Sequence, residues 1–411
     1  MSDRPFVLRG GYVLDVATGE RDRRDVEVAE GKIVVRGTTN DPLEVDAGGL
    51  TICFGLCETH THPGGLMYDP KGAGYFESIA ERTLRAEVNL REALDMGITA
   101  VRAVGEASGI DLALSKAFAR GELVGPRLEC AGRAIGTTGG HGTAYPRHFV
   151  NVDERLVVDG PVETRRAVRS LVEQGATWIK LLLTGGLYSE HETVDGGQFD
   201  DDEFGAAMAT AAQRGVPVSA HCGGTEWAIK FAEAGGRSIE HGYALDERAA
   251  DAMVKHGTWL VPTISVTHDV EFMQETQWPP HAMNRAIATA PGHAAALHAC
   301  REAGVKIALG ADLNQIGPRM HQEIRILEGL GMERLELLYA ATVGGRGLLG
   351  IGEESAPAPG SVADLILLED DPLDDLDGLR RPVGISVFGR LIREPGKEPR
   401  SIPSELEAVA G

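Results

Sequence analysis

The sequence predicts an α/β fold, a (β/α)8 TIM barrel with a small β-sandwich domain formed from both chain termini, and three observations point to it. Eight apolar, strand-like runs alternate with stretches of helical length through the middle of the chain. Residues 1–55 and 356–411 read instead as short strands separated by turn residues, so both ends form one β domain and residues 56–355 form the barrel. Glycine is abundant, at 53 of 411 residues, and aromatics are scarce, at 5%, which suits many tight strand-to-helix turns better than disorder.

In the amino-terminal part, Phe6 to Val16, Asp25 to Val35 and Leu43 to Phe54 are rich in Val, Ile and Leu. The predicted barrel strands are Glu58 to His62, Ile98 to Val104, Arg127 to Ile135, Trp178 to Thr184, Val216 to His221, Arg237 to His241, Trp259 to Thr263 and Val305 to Ala311. Predicted helices cover Ile79 to Met96, Glu163 to Gln174, Asp201 to Arg214, Glu226 to Ala234, Asp246 to His256, His293 to Ala303 and Arg334 to Leu349. Ala363 to Leu368 and Val383 to Arg393 return to strand texture, joined by an Asp-rich loop that lacks EF-hand spacing and reads as solvated. Thr138 to Asp159 and Ile264 to Pro291 are long insertions of the kind that form lids or binding loops, and Trp278 would line a pocket.

A formal charge of −21 argues against nucleic acid and anionic membranes as partners. The five cysteines are scattered through apolar stretches and read as buried thiols of a reducing compartment. Without a signal-like leader or an apolar run long enough to span a bilayer, the expectation is a cytoplasmic protein acting on a small-molecule substrate.

Side chains at i and i+2 of a strand face one way, so His60 and His62 point together at the carboxyl end of the first barrel strand, where barrels keep their active sites. His221 ends the fifth run, His241 the sixth and Asp312 the eighth. Lys180 sits inside the fourth, where an ammonium is costly unless paired or modified. These six would converge on one axial metal site.

This set resembles the amidohydrolase superfamily, with its His-x-His on the first strand, Lys on the fourth, His on the fifth and sixth and Asp on the eighth. The carboxyl-terminal segments Gly360-Ser361-Val362-Ala363-Asp364-Leu365 and Asp371-Pro372-Leu373 match the family's flanking domain. Thr138-Gly139-Gly140-His141-Gly142, Ile179-Lys180 with Thr184-Gly185-Gly186, and Ile239-Glu240-His241-Gly242 are similar to the imidazolonepropionase-related branch of prolidase-like dipeptidases and ochratoxinase-like amidases. Phe54 replaces a usual Pro, Glu58 a common Asp, and Leu313-Asn314 the small residues expected after Asp312.

The resemblance implies two divalent ions, Zn2+ by default and Mn2+, Co2+ or Fe2+ as alternatives. His60, His62 and Asp312 would bind one and His221 and His241 the other, with Lys180, carboxylated by CO2, bridging them. A hydroxide between the cations would attack an amide bond of a dipeptide or N-acyl amino acid, and Asp312 would act as general acid and base. His141 either contacts substrate or is a surface-loop histidine. Tyr243 either hydrogen-bonds a substrate carboxylate or packs. Tyr188 and Arg319, expected in loops on the same face, would bind an anionic group. The remaining histidines read as surface or structural. A homo-oligomer is implied by the resemblance alone. The alternatives are a mononuclear hydrolase of cyclic amides (lactams) or deaminase, against which Lys180 argues, and an inactive scaffold, against which the full ligand set argues.

Overall fold

The computed structural model describes residues 4–65, 77–142 and 155–397; residues 143–154 of the first predicted insertion, with His148, lie outside the described residues. The chain divides into two compact units, Met1–Gly55 with Glu354–Gly411 and Leu56–Glu353.

In the smaller unit the strands form one connected sheet of eight, in place of the expected sandwich of two. The reason lies in the first strand, Phe6–Leu14. Its register shifts between Leu8 and Gly11, and Gly10 adopts a φ of 69°. The first half of the strand pairs with Leu43–Asp46 and the second half with Thr51–Phe54, so a single strand serves two neighbours. Thr51–Phe54 then pairs with Leu365–Leu368, which joins the two ends of the chain.

The larger unit is α/β with parallel strands. One sheet runs Leu56–Thr61, Ile98–Ala103, Arg127–Cys130. The other runs Arg155–Val157, Ala134–Gly136, Ile179–Leu182, Val218–Gly224, Ser238–Ala244, Trp259–Val261. Apart from Arg127–Cys130 and Arg155–Val157, the strands bury both faces, which is why they read as near-continuous apolar runs. The third predicted run is two strands, broken at Gly132 with φ 63°. The eighth run forms only an isolated parallel bridge, Leu260 to Ile307. That segment nevertheless hydrogen-bonds on both sides: Ala308 N–H to Leu260 O at 3.1 Å, and Thr59 N–H to Leu309 O at 2.9 Å. Cys130 O likewise accepts the Trp178 N–H at 3.0 Å, between the two sheets.

Helices were missed where glycine or proline masked them. Ile110–Arg120 follows Gly109, and Ile316–Gly329 carries Gly317-Pro318 in its first turn, where proline removes no helical hydrogen bond. The second insertion is not a loop. It folds as Ser265–His268, Val270–Glu275 and the first half of Pro280–Ala303, a helix that continues through Pro291, where His293 had been predicted to begin one. Trp278 is buried with Leu187, Tyr243, Phe272 and Leu313. The five cysteines are buried free thiols, and no described helix is long and apolar enough to cross a membrane.

Gly345 tests the packing behind the strand Leu56–Thr61. It begins helix Gly345–Leu349 with helical φ, where alanine would ordinarily stabilise by roughly 0.4–1 kcal/mol. A Cβ there would lie 2.2 Å from Cys57 Cβ. Overpacking costs about 1–3 kcal/mol, so the steric term wins. Gly345→Ala should lower the urea midpoint; an unchanged or raised midpoint would show that the strand yields.

Candidate metal centre

The strand ends bring four histidines into an arc. Ring centroids are 5.8 Å apart for His62 and His60, 5.0 Å for His60 and His241, and 4.4 Å for His241 and His221. His60, His241 and Asp312 offer ligand atoms all within 4.8 Å of one another. His62 joins them through Nε2, 3.2 Å from Asp312 Oδ1. His221 lies one ring further along, stacked on His141 at 4.0 Å.

Each imidazole is oriented through one nitrogen. His62 Nδ1 meets Gly105 O at 2.6 Å and His221 Nε2 meets Gly185 O at 3.0 Å. A carbonyl can only accept, so those nitrogens carry the protons. His60 Nδ1 donates to Glu240 Oε2 at 2.7 Å, and His241 Nδ1 pairs with Thr263 Oγ1 at 2.7 Å. In neutral rings the opposite nitrogens of His60, His62 and His221 are then bare lone pairs, the arrangement by which proteins aim histidines at a metal. Two of them, His60 Nε2 at 3.3 Å and His62 Nε2 at 3.2 Å, face the same Asp312 Oδ1. Acceptor against acceptor repels unless a proton or a cation lies between. Burial works against charge on both partners, yet the pair wins: Asp312 is held well below the usual carboxylate range by His60 and His62, and His62 is held above its ordinary value by Asp312. The donor set therefore fits a cation.

Beneath His60 lies a network fully removed from solvent. Arg102 donates to Glu240 Oε1 and Oε2 at 2.9 and 3.0 Å, to Ser238 Oγ at 2.9 Å and to Thr59 O at 2.6 Å. Burial opposes the Glu240 charge, but Arg102 and His60 outweigh it and hold the carboxylate at about 2. Glu58, in the place of a commoner Asp, accepts the His60 N–H at 2.9 Å and reaches the Ala311 N–H at 3.1 Å. Lys180 is 2% exposed and its Nζ has no hydrogen-bond partner. Burial pushes it down to about 8, while Glu240 and Asp312 pull it up. His241 and Asp312 adopt φ of 70° and 62°, a left-handed conformation uncommon outside glycine and found where surrounding structure enforces it.

Of the predicted substrate contacts, His141 is near the arc, its Nδ1 on Glu192 Oε2 at 3.0 Å. Tyr243 is buried and stacks on His241 with centroids 5.0 Å apart. Tyr188 lies in the loop after the fourth strand, edge-on to Trp278 at 5.2 Å. Arg319 is not in a loop: it lies in the first turn of Ile316–Gly329, paired with Asp269 at 2.9 Å and set over the Phe272 ring. Glu240 and Arg102 were missed, although both are charges inside apolar strands, the signal that marked Lys180. His293 was read only among surface or structural histidines; its Nε2–H donates to the His241 carbonyl at 2.9 Å.

A model of the amidohydrolase family matches residues 51–388, so the chain belongs to that family and is a hydrolase acting on carbon–nitrogen bonds. It is similar to ochratoxinase of Aspergillus niger, 30% identical over 376 residues, covering 84% of this chain and 76% of that one. A crystal structure of a prolidase complexed with N-methylphosphonate-L-proline superimposes with a TM-score of 0.85 at 29% identity, covering 95% of this chain and all of that one. Imidazolonepropionase of Deinococcus deserti is 25% identical over 365 residues, covering 80% of each chain.

Removing Arg102 would leave a buried carboxylate uncompensated, at a cost of about 3–5 kcal/mol. Arg102→Met should lower unfolding free energy by that order, and an unchanged value would show that His60 and Ser238 suffice. A carboxylate held at about 2, against roughly 4.3 unfolded, contributes stability that is present above the unfolded value and lost as pH falls toward 2. Glu240→Gln should therefore flatten the acid limb of stability against pH; an identical limb would remove Glu240 from it.

Proposed function

We propose that this site is a binuclear centre within a (β/α)8 barrel, the eighth strand position being supplied by the 305–312 segment, and that it hydrolyses an amide bond of a dipeptide or N-acyl amino acid. His60, His62 and Asp312 would hold one divalent ion, zinc by default, and His221 and His241 the other. The observation that carries the reading is the orphaned Lys180 Nζ, buried among the ligands with no partner. A neutral amine there can attack CO2 through nitrogen and lose a proton, giving a carbamate. That replaces an unmatched ammonium by an anionic oxygen donor able to reach two cations.

The bound ions would activate water and polarise the scissile carbonyl. The chain's own residues do the rest. Asp312, whose carboxylate stays ionised, accepts a proton from the attacking water as the new C–O bond forms. It returns that proton to the leaving nitrogen as the C–N bond breaks, yielding an acid and an amine. Glu240 keeps the His60 proton on Nδ1 and so keeps Nε2 turned to the centre. His141 and Tyr243 would contact the substrate, Tyr188 would line its side, and Arg319 would support that wall from its pair with Asp269. The likeness to ochratoxinase and to a prolidase supports an amino-acid amide as substrate.

A narrower reading rests on the three-residue group His60, His241 and Asp312, which alone could hold a single ion and would suit a cyclic-amide hydrolase or deaminase. Metal content per chain, measured on protein purified without chelators beside Lys180→Ala, separates the two. Two ions, falling in the variant together with hydrolysis of Xaa-Pro dipeptides and N-acyl amino acids, supports the binuclear amidase. One ion, unchanged in the variant, supports the narrower reading and overturns the bridge.

A further inference from the structure

The first two turns of helix Pro280–Ala303 hydrogen-bond to one loop. Arg285 Nη1 meets the carbonyls of Gly186 at 3.2 Å, Leu187 at 3.3 Å and Ser189, and Nη2 meets Glu190 O at 3.2 Å. One turn earlier, His281 Nε2 donates to Tyr188 O at 2.8 Å. Among the described residues no carboxylate pairs with Arg285. Both its Nη atoms donate only to backbone carbonyls within five consecutive residues, so what it controls is the shape of that loop.

The same loop holds two site histidines. Gly185 O takes the His221 Nε2–H, and Glu192 Oε2 takes both His141 Nδ1 at 3.0 Å and the Gly186 N–H at 3.1 Å. There is little slack in it. A Cβ at Gly186 would lie 2.2 Å from the His141 ring, and one at Gly185 would lie 2.4 Å from Thr193 O. A shift of the loop is therefore passed on to His221 and His141. His60, His62 and Asp312 hang from Glu240, Gly105 and the first strand and do not touch it.

We propose that Arg285 is a positioning residue for the His221 side of the centre, acting through the Gly185–Glu192 loop to set the orientation of His221 and His141. The consequence for metal rests on His221 being a ligand, as proposed above. The consequence for the His221 ring does not.

The test uses the full chain with Arg285→Ala and Arg285→Lys. In metal-depleted protein, the His221 ring signals in a nitrogen-15 histidine spectrum, assigned with His221→Gln, should move in Arg285→Ala and return with added guanidinium. Lysine, a single point of donors, should not restore them. In zinc competition titrations one of the two ions should lose about tenfold or more in affinity and the other none, the range seen when groups behind a ligand are removed. KM should rise more than kcat falls. His221 signals unmoved in Arg285→Ala would overturn the proposal. Equal loss at both ions with a lowered unfolding midpoint and no recovery with guanidinium would overturn it too, because that describes general damage. If the wild type binds fewer than two ions, the binuclear reading fails, and the His221 spectrum still decides for or against Arg285.

Discussion

A charge buried inside a barrel-like stack of strands has to be balanced where it stands, and the site follows from that constraint. Glu240 is wholly buried, so Arg102 must face it, and Arg102 can only do so from the neighbouring sheet. With the carboxylate ionised, His60 is committed to one tautomer and its Nε2 is committed to Asp312. Asp312 in turn faces a second bare imidazole nitrogen from His62, and the three together call for a cation. Lys180 is the one charge in the set with no partner within hydrogen-bonding reach. Each residue is explicable only through the next, and the unpaired member is the one at which modification chemistry makes sense.

The backbone is bent to serve the same end. His241, Thr263 and Asp312 all have positive φ, at 70°, 47° and 62°; His241 lies within Ser238–Ala244, Thr263 just beyond Trp259–Val261, and Asp312 after the segment that bridges at Ile307. His293 donates to the His241 carbonyl from the long helix, and Glu323 accepts the N–H groups of Ile264 and Ser265 just beyond Thr263. The strain is held by buried polar contacts drawn from the insertion and the helices, so an element that reads as peripheral is part of the support of the site's His241 and of the turn after Thr263.

Much of this was legible in the sequence. The apolar runs locate the strands because strands buried on both faces need apolar residues throughout, and at the ends of those runs, or for Lys180 inside one, stand the six residues that the structure brings to one region. The eighth run was legible as a run but forms only a bridge, and its Gly310 packs so closely on His60 that any Cβ would collide, at 2.6 Å from the His60 backbone nitrogen. What was not legible depends on contacts distant in sequence. Nothing local marks Arg102 as the partner of Glu240, and nothing in Gly317-Pro318 distinguishes a helix start from a turn. Pro291 reads as a break, yet the helix runs through it because its neighbours pack that segment against Tyr243 and the sixth strand.

On the reading proposed above, the unpartnered buried amine of Lys180 becomes the bridge of a metal centre. The decisive measurement is carbon-13 NMR on protein loaded with metal in the presence of labelled bicarbonate. A carbamate resonance should be present in the wild type, absent from Lys180→Arg, and lost together with the metal on chelation. A fully loaded protein with no such resonance would contradict it, and Lys180 would then have to be a buried neutral amine beside a centre that does without it.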